Sequence, residues 1–454
     1  MITINEHSKN IPVIEEADIC VLGGSCTGVF AAIKAARLGA KVIIIEKQNC
    51  FGGVATSGMV NIWHSLMDTE SKQQVIAGLT YEIIERLKKR NAVLVKGKQV
   101  SAFFMNTEEL KIELDEMVKE AGVKPYLHTL FTAPWVEDGD FKAVIVENKS
   151  GRSAIKAKVF IDATGDGDLC DRLGFSCYSP ETKQPPTTGA KILGMNSDLY
   201  GMASVGDFNL EEALLKYKDE FKLPEGWGWS SIIPGVSEIT FQSITRILNA
   251  DCVDADSLTE SEMEGRRQIR AIMDMIRKYG PKDENIVLLA LSSYIGIRET
   301  RHIKGMYQLT EEDILRGKRF DDAIANGTYR VDIHHHDKPG VTFRYLDGTE
   351  IYLRSGYPKQ EGQWREKISK DPTFYQIPYR SLVPEGSKNV IASGRMLDAD
   401  KGAFGAARVM VNMNQTGEAA GVAAYIALNS DRVVGDIDAK LLRKTLKDNG
   451  SIIL

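Results

Sequence analysis

Residues 17–24 read ADICVLGG, an apolar burst rich in β-formers that ends on glycines, as a buried parallel strand does. A helix is expected next, because residues 28–38, GVFAAIKAARL, carry small or apolar side chains on most faces and stop at Gly39. A second apolar run, KVIIIE over 41–46, completes a strand, helix, strand unit. Residues 106–121 place Leu110, Leu114, Met117 and Val118 at helical spacing, with Asn106 as an Asx-type cap, Glu109 three residues on and Gly122 just past the end. Three β-like runs follow at 124–136, 141–148 and 154–161, separated by the hairpin turn signals EDGD and NKSG. They predict a three-stranded antiparallel meander whose last strand returns the chain to Asp162.

The stretch 199–374 changes character. Glycine- and tryptophan-bearing loops (PEGWGWSSIIPG) precede a charged helix over 261–279 and β-like segments over 328–353, as in an inserted domain. After 375 the pattern returns to an apolar strand at 389–393, a glycine-rich loop and a long small-residue helix at 408–428. The expected division is therefore a first domain in two parts, 1–198 (with the meander at about 124–161) and 375–454, around an α+β insert at 199–374. No internal repeat or low-complexity segment is evident.

A chain of 454 residues with 43% hydrophobic and 26% charged residues has room for two to three domains of about 150 residues and excludes disorder and collagen-like arrays. Its 57 basic against 62 acidic residues, net −5, offer no overall field for nucleic acid. Six scattered cysteines without a CxxC pair read as reduced thiols, and neither a signal peptide nor an apolar run long enough to span a membrane is seen, so a cytoplasmic location is expected.

The loop after the first strand, Gly23-Gly24-Ser25-Cys26-Thr27-Gly28, fits GxGxxG with Ser25 at the second glycine. Its context strengthens it: the loop follows a strand and opens a helix, and Glu46 ends the next strand 23 residues after Gly23, close to the ~20 expected for an acid that binds an adenosine ribose. Glycines let backbone amides approach a pyrophosphate, and the helix N-terminus offers unpaired N–H groups and a positive dipole end.

Six blocks together resemble the FAD-dependent oxidoreductase family of the glutathione-reductase-type flavoprotein fold: residues 23–47, FGGVATSG at 51–58, IDATGDGDL at 161–169, IGIRETRHIKG at 295–305, IPYRSLVPEGSKNVIASGRML at 377–397 and 405–428. The resemblance implies an α/β fold: a Rossmann-like FAD-binding domain with a parallel sheet and an antiparallel meander, interrupted by the insert. It implies FAD as cofactor, with Gly23, Gly24, Ser25, Cys26, Thr27, Gly28, Glu46 and Lys47 in the first block and Gly52, Gly53, Thr56 and Ser57 in the second. The later blocks add Ala163, Thr164, Gly165, Asp166, Gly394 and Arg395, and Gly405 before a helix whose N-terminus would point at the flavin ring. Where many relatives of the wider fold have Gly-Asp, this chain has Gly394-Arg395.

Oxidation of a carbon bearing OH or NH needs a base. His7 lies in a polar tail, whereas His64 follows the loop TSGMVNIWH near the expected flavin. In GIRETRHIKG, alternation would put Arg298 and His302 on one face, with a structural salt bridge to Glu299 as the competing reading. Three consecutive histidines, His334 to His336, cannot all face one ion on a strand, so no metal is expected; the resemblance instead makes His334 a substrate contact or base. Val54-Ala55-Thr56-Ser57-Gly58 stands where disulfide reductases carry two cysteines, and no second GxGxxG is visible, so electrons must pass to or from an external acceptor or donor. The expected partner is a small polar substrate, a hydroxylated sugar or polyol or a carboxylate, with no nucleic acid and with self-association left open. The rival readings are a flavin-binding protein with structural or regulatory FAD and an RNA-modifying flavoprotein.

Overall fold

Strands made wholly of apolar residues need both faces covered, and Ile19–Leu22 and Val42–Ile45 obtain this at the centre of a five-stranded parallel sheet. Its order is Val390–Ala392, Val159–Asp162, Ile19–Leu22, Val42–Ile45 and Lys124–Tyr126. The computed structural model describes residues 2–5, 8–96, 102–197, 201–226, 228–282 and 285–454. His7, Trp227 of the PEGWGW loop and the expected start of the insert at 199 lie outside them.

Side chains alternate across this sheet. Ile19, Val21, Val42 and Ile44 face a core shared with the helices, whereas Cys20, Leu22, Ile43 and Ile45 face a second core. On the first side the helix Cys26–Arg37 packs against Met410–Ser430, and glycine permits the close approach. A Cβ on Gly417 or Gly421 would run into the carbonyl of Thr27 or Ala31. On the second side lies a four-stranded sheet of Leu130–Glu137, Asp140–Asn148 and Gly151–Lys156, with Val13–Glu16 added in parallel at its edge.

The expected meander is thus real but shorter than its apolar runs. The run 124–136 breaks after Tyr126, because His128 adopts a left-handed φ of 50°, and its first three residues join the parallel sheet. The run 154–161 likewise divides between two sheets around residues 157–158. The turn between Leu130–Glu137 and Asp140–Asn148 has Asp138 and Gly139 both at positive φ, as its DG pair requires.

An antiparallel sheet of Trp229–Ile233, Val236–Ser243, Ala190–Leu193 and Val287–Leu291 packs with the helices Leu210–Tyr217 and Ala255–Tyr279 around a core of its own. The longer helix starts six residues before the charged segment expected at 261, where Asp254 caps the Ser257 N–H. A second antiparallel sheet opens with Val331–His334, whose Val331 and Ile333 belong to the main core. Among the described residues no helix is long and apolar enough to cross a membrane.

Candidate active site

The loop leaving Ile19–Leu22 is built by exclusion. Gly23 sits at φ 100°, where an added Cβ would meet the Ala163 carbonyl, and a Cβ on Gly28 would collide with the Gly23 carbonyl. Ser25 caps Cys26–Arg37 by accepting from the Gly28 N–H at 3.4 Å, which gives the serine in the fingerprint a job a glycine cannot do. Glu46 turns back on the loop, its two oxygens accepting from the Gly24 N–H at 2.6 Å and the Gln48 N–H at 2.8 Å. Thr56 donates to the Phe51 carbonyl at 2.6 Å and holds the Gly52-Gly53 turn.

One cavity is lined by Ser25, Cys26, Thr27, Glu46, Lys47, Gly52, Gly53, Ser57, Ala163, Thr164, Gly165, Asp166, Gly394 and Arg395 together with His64, Arg298 and His334. Gly23, Gly24, Gly28 and Thr56 are absent from its lining and shape the wall from behind. Gly405 is elsewhere: it is buried within the short helix Lys401–Ala407 against the Asp332 backbone, and the long helix begins only at Met410. Asp162, fully buried, accepts from Thr164 through one oxygen and from the Leu169 and Cys170 N–H groups through the other. It fixes the ATGDGD loop, and burial pushes its carboxyl upward. Arg395 reaches across to pair with Asp166, which also accepts from Thr300 at 2.8 Å. Burial pushes the Cys26 thiol up to about 12, so it is an inert filler at neutral pH.

Arg298 and His302 do not share a face, because only His302–Ile303 is strand. His302 is buried outside the cavity, its Nδ1 at 2.9 Å from the Leu397 carbonyl and its ring stacked on Tyr178. Arg301 is likewise structural, tied to Asp168 and Asp171.

His334 instead meets residues the sequence reading passed over. Its Nε2 lies 3.4 Å from Asp332 Oδ1, in ion-pair range rather than hydrogen-bonded, while the other oxygen, Oδ2, accepts the Tyr329 hydroxyl at 2.8 Å and stands 3.6 Å from Arg408. Burial pulls the His334 imidazole down to about 4 and that of His64, beside Arg330, to about 3, so both are neutral bases at pH 7. Burial alone would raise the Asp332 carboxyl, but His334 and two arginines outweigh it and hold it well below the usual range. His64 packs on the Tyr329 ring at 4.1 Å. Asp332 was legible in principle, since residues two apart on a strand share a face. Arg408, 76 residues downstream of Asp332, carried no local signal.

Against known proteins, the family model for FAD dependent oxidoreductases matches residues 18–446. The chain belongs to that family. The mitochondrial dihydrolipoyl dehydrogenase of Schizosaccharomyces pombe is 31% identical over 160 residues, 33% of this chain. The match spans only 28% of that relative's length. Among solved structures, a geranylgeranyl bacteriochlorophyll reductase-like protein from Thermoplasma acidophilum superposes with a TM-score of 0.51 at 12% identity, over 95% of this chain and 83% of the other. The p-nitrophenol 4-monooxygenase of Pseudomonas putida gives 0.46 at 9% identity, over 96% and 84%. The first of these supports the Rossmann-type fold.

The family's cofactor is FAD, and this chain's own residues fit it. The cavity runs past the glycine loop and the Glu46 carboxylate, and the helix Met410–Ser430 starts at its wall with no side-chain cap on its first N–H groups. On that wall Asn414, 1% exposed, leaves both its Nδ2 and its Oδ1 buried without a partner among the described residues. A buried amide of this kind is costly until a ligand brings a matching acceptor and donor, as the pyrimidine edge of a flavin does.

Proposed function

We propose that this FAD dependent oxidoreductase acts on a small polar metabolite, bearing a hydroxyl or a carboxylate, by hydride transfer to or from the flavin. FAD, when bound, supplies the two-electron redox chemistry. The observation that carries the reading is that the partly buried group of Tyr329, Asp332, His334 and Arg298 opens onto the same cavity as the dinucleotide loop.

In this reading the chain's residues divide the work. The Gly23 to Gly28 loop and the helix it opens receive the pyrophosphate, Glu46 receives the adenosine ribose, and Lys47 and Arg395 line the path between. Asn414 and the start of Met410–Ser430 hold the pyrimidine edge. His334, neutral at pH 7, takes the proton from the substrate hydroxyl, and Asp332 orients the ring and stabilises the imidazolium that forms. His64 contributes a neutral wall packed on Tyr329. The substrate enters between the FAD domain, 1–198 with 375–454, and the insert, 199–374, and an external acceptor or donor closes the electron cycle.

Anaerobic mixing of the FAD-loaded protein with hydroxylated and carboxylated metabolites tests this. Bleaching of the flavin band by one substrate class, slowed about 100-fold or more in His334→Gln with FAD retained, is the expected result. Equal rates in the two proteins would remove His334 from the chemistry.

A further inference from the structure

The charged residues lining the cavity fall into two groups of different balance. Beside the dinucleotide loops, Glu46 and Asp166 match Lys47 and Arg395. Around His334, two guanidiniums, Arg298 and Arg408, face one carboxylate, Asp332, and both histidines there are neutral. An excess of enclosed positive charge is costly unless an anion completes it.

Arg298 is the residue with the least compensation. It forms no ion pair among the described residues, and one terminal nitrogen, Nη1, is spent on neutral acceptors, the Pro185 carbonyl and the Thr187 hydroxyl. Those two bonds fix the plane of the guanidinium and hold it from the 185–187 segment rather than from the dinucleotide loops. Arg408 is partly engaged, donating to Gln184 at 2.9 Å, with its Nε buried and without a partner among the described residues. Burial, then Arg408 itself, lower the Arg298 guanidinium to about 9, which leaves it charged at neutral pH.

We infer that the substrate is an organic acid whose carboxylate pairs with Arg298, with Arg408 completing the charge. This rests on the flavoprotein reading and narrows it, selecting the carboxylate over the sugar or polyol. A planar fork held by two fixed acceptors is suited to a carboxylate, whereas a polyol leaves its charge unanswered.

The test is a titration of the FAD-loaded protein, followed by the flavin difference spectrum and by melting temperature. The probes are acetate, glycolate, succinate and benzoate, set against acetamide, ethylene glycol, succinamide and benzamide, with sodium chloride matching ionic strength. Saturable perturbation by at least one carboxylate and not by its neutral counterpart is expected, with affinity lowered about tenfold or more in Arg298→Gln and partly restored in Arg298→Lys. Carboxylates no more effective than amides or chloride would overturn the inference, as would undiminished carboxylate affinity in Arg298→Gln. If Arg298→Gln shifts only the flavin midpoint potential, the charge serves the cofactor and the inference fails. A protein that takes up no FAD fails earlier, at the flavoprotein reading, so the two failures are distinguishable.

Discussion

Asp332 and His334, two residues apart on the strand Val331–His334, line one cavity and meet at 3.4 Å. The pair sets the protonation of the site: the carboxylate raises the imidazole, burial and the arginines lower it, and the balance is a neutral histidine. Removing the charge in Asp332→Asn is therefore expected to lower kcat by about tenfold, through lost orientation, and to move the acid limb of kcat/KM to lower pH. Steady-state profiles of both proteins check this; an acid limb that stays in place would detach Asp332 from His334.

Stability should fall in acid for the same reason. His64 and His334 have folded-state values of about 3 and about 4, below the ~6.5 of an unfolded histidine. As pH drops from about 6.5 toward 4, the unfolded chain binds protons that the native chain refuses, so each histidine weakens the fold by at most about 1.4 kcal/mol per pH unit. Denaturant melts at stepwise pH should show this slope, and His64→Gln should reduce it.

Gly28→Ala is expected to give a protein with less bound FAD and a lowered melting temperature, because its Cβ would collide with the Gly23 carbonyl. Overpacking of this kind costs about 1–3 kcal/mol and here also closes the cofactor's approach. The flavin-to-protein ratio after purification is the measurement.

Asn414→Leu separates cofactor binding from folding. The orphaned amide penalises the FAD-free chain, so the variant should melt at the same temperature or higher without FAD, while its FAD affinity falls about tenfold. Equal losses in both measurements would make Asn414 an ordinary core residue.

Much of this was legible because it is local. The ADICVLGG strand, the glycine loop and the helix that Ser25 caps follow one another within 21 residues, and hydrophobic period and turn chemistry specify each. The division of the run 124–136 was not legible, because β-propensity is the same in both sheets and the break depends on the backbone of His128. Gly405 misled for a related reason, since the stretch read as a glycine-rich loop before the long helix is itself a short helix, Lys401–Ala407, capped by Asp400. The substrate side of the site was the least visible. Arg298 stood out in its own block, but Tyr329, Asp332 and Arg408 are brought together by the packing of Lys401–Ala407 on Val331–His334, and Arg298 joins them from the 185–187 segment that holds it.

The central claim, that the glycine loop, Glu46 and Asn414 together hold FAD, is tested most directly by the flavin content of the purified protein. The protein is precipitated with acid and the supernatant identified by chromatography. One FAD released per chain, with lower occupancy in Gly28→Ala, is the result this account predicts; a colourless protein that takes up no added FAD would contradict it.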